Sequence, residues 1–132
     1  MNTYKDYEYL VVKNEHTGTF CGYVKLDPKH PWTEHLRKVK QFSFAGKTYK
    51  HRDYDSIEVD CHGGLTFGDY FRKPFKHWSK GYWIGWDYAH FGDYMPMLIR
   101  ESNSESTVWS EKDVVKECES VINQAIKASK NE

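Results

Sequence analysis

The chain has 132 residues, with 19 Lys and Arg balancing 19 Asp and Glu. That length fits one domain with its own core, so residues 1–132 are expected to fold as a single unit. Neutrality excludes a general nucleic-acid coat, which needs a strongly basic face, yet leaves room for a local basic pocket. No apolar run approaches the roughly 18 residues of a membrane span. Residues 1–6 are polar and lack a signal peptide's apolar stretch. Cys21, Cys61 and Cys118 are odd in number and lack metal-ligand spacing, so they read as reduced thiols of a cytoplasmic protein. Aromatics make up 17% of the chain, which implies a small core built from large side chains with a few rings left for planar ligands.

In chain order, residues 7–13 and 20–26 read as two strands joined by a Thr-Gly turn. Pro28 and Pro31 break the pattern, and 33–37 suits a short helical turn. Residues 39–44 alternate as a strand, with a turn at 45–47 and a return over 48–50. The cleanest alternation is 56–61, where Ile57, Val59 and Cys61 share one side, so this stretch is expected to be a strand. Residues 83–86 look like another core strand, and the connection of about fifteen residues before it is long enough for a crossover or a functional loop. Residues 102–107 read as a polar loop. The last element is a helix: Ser110 is a natural N-cap with Asp113 at the capping-box position, and Val114, Cys118, Val121, Ile122 and Ala125 keep the helical period. The fold class is therefore α+β, a mainly antiparallel sheet of about five strands with the C-terminal helix packed on it.

Chemistry concentrates between His62 and Asp93. His62 precedes Gly63 and Gly64, whose backbone can take positive φ or pass close to a ligand. Thr66 follows. Asp87, His90 and Asp93 are spaced by three, so they converge on one side of a turn. Carboxylates and imidazoles together suit acid–base work or a divalent metal. Between these motifs, residues 71–80 carry Arg72, Lys73, Lys76 and Lys80, with Phe71, Phe75 and Trp78 interleaved and no acid. Such a loop suits phosphate and a stacked base. No Gly-x-Ser-x-Gly elbow, Walker-type loop or Gly-x-Gly-x-x-Gly is present.

The segments Cys21-Gly22-Tyr23-Val24, His30-Pro31, Tyr54-Asp55-x-Ile57-x-Val59-x-x-His62-Gly63-Gly64-Leu65-Thr66 and Trp83-Ile84-Gly85-Trp86-Asp87-x-Ala89-His90-x-Gly92-Asp93 resemble a family of small phage and prophage proteins. The resemblance covers most of the chain before the final helix. It departs at Trp86 and Tyr88, where the family often carries Phe and Cys. It implies a viral accessory protein working in the cytoplasm of a bacterial host, and by context one that disarms immunity, but it hands over no reaction.

These readings lead to three expectations. The first is a binder that sequesters a nucleotide-derived immune signal, such as a cyclic ADP-ribose relative or a cyclic dinucleotide. Arg72, Lys73 and Lys76 would hold phosphate, Trp78 or another loop aromatic would stack on the base, and His62, Asp87, His90 and Asp93 would reach ribose or amine groups, all in one site. The second is a phosphodiesterase in which His62, Asp87, His90 and Asp93 hold a divalent metal. The third is an inhibitor that blocks a host effector through its aromatic surface. A homo-oligomer is expected, since a shallow pocket closes against a second subunit.

Overall fold

The computed structural model describes residues 2–52, 54, 57–90, 93, 95 and 107–130, the side chains of 39–44 and 48–52 excepted. Its elements run β1 (Asn2–Tyr4), β2 (Tyr7–Lys13), β3 (Phe20–Leu26), α1 (Pro31–Arg37), β4 (Val39–Phe44), β5 (Lys47–Arg52), β6 (Phe67–Phe71), β7 (Gly81–Asp87) and α2 (Glu111–Lys130). Five strands form one sheet in the order β1-β2-β3-β7-β6, every pair antiparallel. The β4–β5 hairpin makes a separate two-stranded sheet.

The central strand explains the polarity of the whole sheet. β7 is buried along six of its seven residues. Tyr82, Ile84 and Trp86 point into the main core, where they meet Val24 and Leu26 of β3 and Val114, Cys118, Val121, Ile122 and Ala125 of α2. Period-two alternation sends Trp83 to the other face, where it is also fully buried. Its indole N–H donates to the Ser79 carbonyl at 2.9 Å, so the 72–80 loop lies over that second face.

α2 begins as its sequence requires. Ser110 N–H and Oγ–H both donate to the Asp113 carboxylate at 2.9 Å, and Asp113 N–H returns a bond to Ser110 Oγ. α1 is tied to α2 by a buried histidine: His30 Nδ1 accepts the Trp32 N–H, and its Nε2–H donates to the Ala125 carbonyl at 2.8 Å. Among the described residues no helix is long and apolar enough to cross a membrane.

The expected strand over 56–61 is corrected. Of that stretch residues 57–61 are described, and they belong to no sheet. The alternation is real, with Ile57 buried and Glu58 and Asp60 exposed, but the backbone finds its partners on α2 instead. Asp60 N–H donates to Gln124 Oε1 at 2.7 Å, Gln124 Nε2–H donates to the Asp60 carbonyl at 2.8 Å, and His62 N–H donates to Glu117 Oε1 at 2.6 Å. Two helix side chains thus do for this segment what a neighbouring strand does elsewhere. Conversely, β1 and β6 escaped the sequence reading. β6 takes up the first part of the connection that leads into β7, leaving a shorter loop at 72–80. Residues 102–106 of the expected polar loop lie outside the described residues.

Candidate functional site

The two ends of the antiparallel sheet carry different chemistry. At one end β3 starts, β6 starts and β7 finishes; there the His62 turn and the segment after Asp87 meet. At the other end β2 and β7 start and β3 and β6 finish, and the 72–80 loop leaves from there. β7 has seven residues, so the ends are roughly 20 Å apart.

At the first end Asp93 is a buried hub. Its side chain is 3% exposed, and three N–H groups converge on the carboxylate. His62 Nε2–H donates to Oδ2 at 2.8 Å, the His90 backbone N–H to the same oxygen at 2.9 Å, and the Trp109 indole N–H to Oδ1 at 2.8 Å. Burial alone would raise this acid's pKa. The bonds from the His62 imidazole, the His90 backbone and the Trp109 indole outweigh it and hold the carboxyl below its ordinary value. The hub joins three distant stretches of chain, since Thr107, two residues before Trp109, also bridges to Asp93.

The rings around the hub are closely stacked. His62 lies parallel to Tyr88, centroids 4.7 Å apart, with Trp109 tilted on it at 4.7 Å and His90 edge-on at 5.5 Å. Burial pushes the Tyr88 phenol up, and its oxygen accepts the Trp86 indole N–H. Asp87 accepts from the Ala89 N–H and from the Thr66 hydroxyl, and stands 3.3 Å from His90 Nε2. That approach is too poorly aligned for a hydrogen bond, so His90 Nε2 is buried without one among the described residues. Gly63 makes room for it. Gly63 sits at φ +70°, and a Cβ there would stand 2.2 Å from His90 Nε2. Gly64, at φ +79°, faces open space, and its N–H donates to the Cys61 carbonyl.

His62, Gly63, Gly64, Thr66, Asp87, His90 and Asp93 therefore come together. Tyr88, Trp109 and Glu117 belong with them, and sequence reasoning missed all three. Tyr88 lies inside the Asp87–Asp93 motif and was a reachable inference. Glu117 on α2 and Trp109 just before it come from a remote stretch of chain, and nothing in their local pattern marks them. Asp93's oxygens already serve N–H donors, and among the described residues no three His, Cys, Asp or Glu side chains are arranged to hold a metal ion. The three cysteines are free. Burial pushes the thiols of Cys61 and Cys118 up to about 12, which leaves both poorly nucleophilic.

Arg72, Lys73, Lys76 and Trp78 do not join this cluster; they sit on the loop that leaves from the opposite end of the sheet. The loop closes on itself where Phe75 and Trp78 exchange backbone hydrogen bonds, each 2.9 Å. Lys76 occupies the first central position of that turn at φ +51°, a conformation usually left to glycine. Trp78 was expected to stack on a ligand. Instead it anchors the loop, edge-on to Tyr23 at 5.3 Å and tilted on Phe71 at 5.5 Å. Its indole N–H is buried without an acceptor among the described residues. Phe75 is the open ring, 54% exposed, with Lys76 Nζ 5.4 Å from its centroid. Arg72, Lys73 and Lys76 are exposed, and none has an ion-pair partner among the described residues.

No protein-family model, curated protein or solved structure matches the chain.

Proposed function

We propose that the protein binds and sequesters a nucleotide-derived signal, and that the 72–80 loop is its phosphate- and base-recognising surface. The observation that carries this reading is the exposed Phe75 ring on a loop with the exposed cations Arg72, Lys73 and Lys76, which have no ion-pair partner among the described residues, in a chain of zero net charge. An aromatic face with neighbouring cations suits a stacked base and its phosphate. The turn is also held in a costly backbone conformation at Lys76, as functional loops often are. The resemblance to phage and prophage proteins supports an anti-defence role in a bacterial host, with a cyclic ADP-ribose relative or a cyclic dinucleotide as the signal. The His62–Asp93 hub, saturated by its own hydrogen bonds, braces the opposite end of the sheet in this reading.

Heating the purified protein and analysing the released small molecules by mass spectrometry tests the proposal. An intact nucleotide in the supernatant is the expected result. A cleaved product requiring added Mn²⁺ or Mg²⁺ would instead mark a phosphodiesterase, and recovery of a host protein with no nucleotide would mark an inhibitor of an effector. R72E and K76E should each weaken binding about tenfold or more and flatten its salt dependence, because contacts to exposed phosphate are largely electrostatic.

A further inference from the structure

A cleft of about 600 Å³ opens at the loop end of the sheet, away from the His62 cluster. That volume lies in the range of small-molecule sites. Its walls come from the β1–β2 turn and the start of β2, from the end of β3 and the two residues after it, from Tyr70 of β6, and from Lys80 and Gly81 where the loop meets β7. One wall is already neutralised. Lys25 Nζ lies 2.8 Å from Glu8 Oε2 and donates to Ser79 Oγ at 3.1 Å, while the Ser79 hydroxyl donates to Glu8 at 3.1 Å. This closed network fixes the C-terminal root of the loop to β2 and β3.

What remains facing the cleft is asymmetric. Asp6 and Asp27 supply carboxylates on the side away from the loop; Lys80 supplies a cation on the loop side, and Arg72 and Lys73 follow directly on Phe71, which pairs with Gly81 in the cleft wall. Asp27 Oδ1 already accepts the Lys29 N–H, and Asp6 has no hydrogen bond among the described residues. Tyr7 and Tyr70 provide the aromatic lining, and Tyr70 is 41% exposed.

From this placement we infer that the cleft seats the ribose end of the ligand, with a free ribose 2′,3′-diol donating to Asp6 and Asp27 beside Tyr70, and with the base and phosphates directed toward Phe75, Lys80 and the loop cations. The inference rests on the nucleotide-binding reading above and narrows it to one ligand class. Vicinal hydroxyls are paired donors that suit carboxylate acceptors, and hydrogen bonds to charged groups are the stronger ones. A cyclic dinucleotide offers no such end. Its phosphates alternate with its nucleosides around the ring, so any insertion brings a phosphate toward Asp6 and Asp27, and its 3′ oxygens are esterified.

Titration calorimetry of the unaltered protein with ADP, 2′-deoxy-ADP, tripolyphosphate and cyclic di-AMP tests this. ADP should bind at least about tenfold more tightly than 2′-deoxy-ADP, the size of one lost charged hydrogen bond, and more tightly than cyclic di-AMP. D6N and D27N should reproduce that loss for ADP while leaving tripolyphosphate binding unchanged. Asn tolerates the positive φ of 68° at position 6 and retains an acceptor for Lys29 at position 27, so both variants keep the local backbone. Equal affinity for ADP and 2′-deoxy-ADP, or ADP binding untouched by D6N and D27N while R72E abolishes it, overturns the inference and leaves the loop reading standing. Binding of none of the four probes overturns both.

Discussion

Single atoms decide the His62 end of the molecule. At Gly63 two demands coincide: a positive φ and the absence of a Cβ, because the His90 ring fills that space. At Gly64 only the first demand holds. Gly64→Ala should therefore cost about 1–2 kcal/mol, the ordinary penalty of a left-handed L-residue. Gly63→Ala should cost clearly more, since it must also displace His90; equal losses in denaturant titrations would refute the packing described here. Asp93 yields a second test, with a definite pH sign. Its carboxyl is held below the ordinary value of 3.8 in the folded protein. Its charge therefore stabilises the fold fully above that value, and the contribution is lost as pH falls through the lower, folded-state pKa. Asp93→Asn leaves N–H donors facing an amide and should lower stability at neutral pH by about 2–3 kcal/mol. It should also flatten the loss of stability below about pH 4. An acid limb as steep as the parent's, followed by circular dichroism, would assign that limb to other carboxylates.

At the scale of elements, the sequence spoke clearly wherever a periodic pattern coincided with a local stop signal. Residues 7–13 and 20–26 match β2 and β3 residue for residue, and Ser110 and Asp113 form the cap that their types and spacing predict. It misled where periodicity was right but the partner was not a strand. Ile57, Val59 and Cys61 alternate as strand residues do, yet the backbone bonds available to that stretch are offered by Gln124 and Glu117 of a helix more than fifty residues away. β6 was hidden for the opposite reason: Phe67-Gly68-Asp69-Tyr70-Phe71 includes a glycine and an acid, both poor strand formers, and pairs because β7 lies beside it. The four polar residues of the site were legible as a motif. Their separation from the basic loop was not, because it depends on β6 and β7 being antiparallel neighbours. If Gln124 replaces a strand partner, Gln124→Ala should accelerate amide exchange at Asp60 while leaving the β3–β7 amides protected. Unchanged exchange at Asp60 would mean another group holds that segment.

Across the whole molecule, the ties between the early elements and α2 are long in sequence. Lys5 Nζ donates to Asn123 Oδ1 at 2.8 Å, the Cys118 thiol points to the Leu10 carbonyl, and His30 reaches Ala125. α2 covers the same sheet face that β2 and β3 present, and the 57–62 stretch leans on it as well. During synthesis, then, the first hairpin leaves the ribosome with its apolar face uncovered and stays so until more than a hundred residues have been translated. Contacts this distant must be bought with loop entropy before they return anything, so folding should be slow for a chain this short, on a millisecond-to-second scale. Ribosome-bound chains stalled before residue 111 has emerged should accordingly be cut readily by protease, and chains with residue 130 clear of the exit tunnel should resist. Protection already present in the shorter chains would show that the sheet stands without its helix.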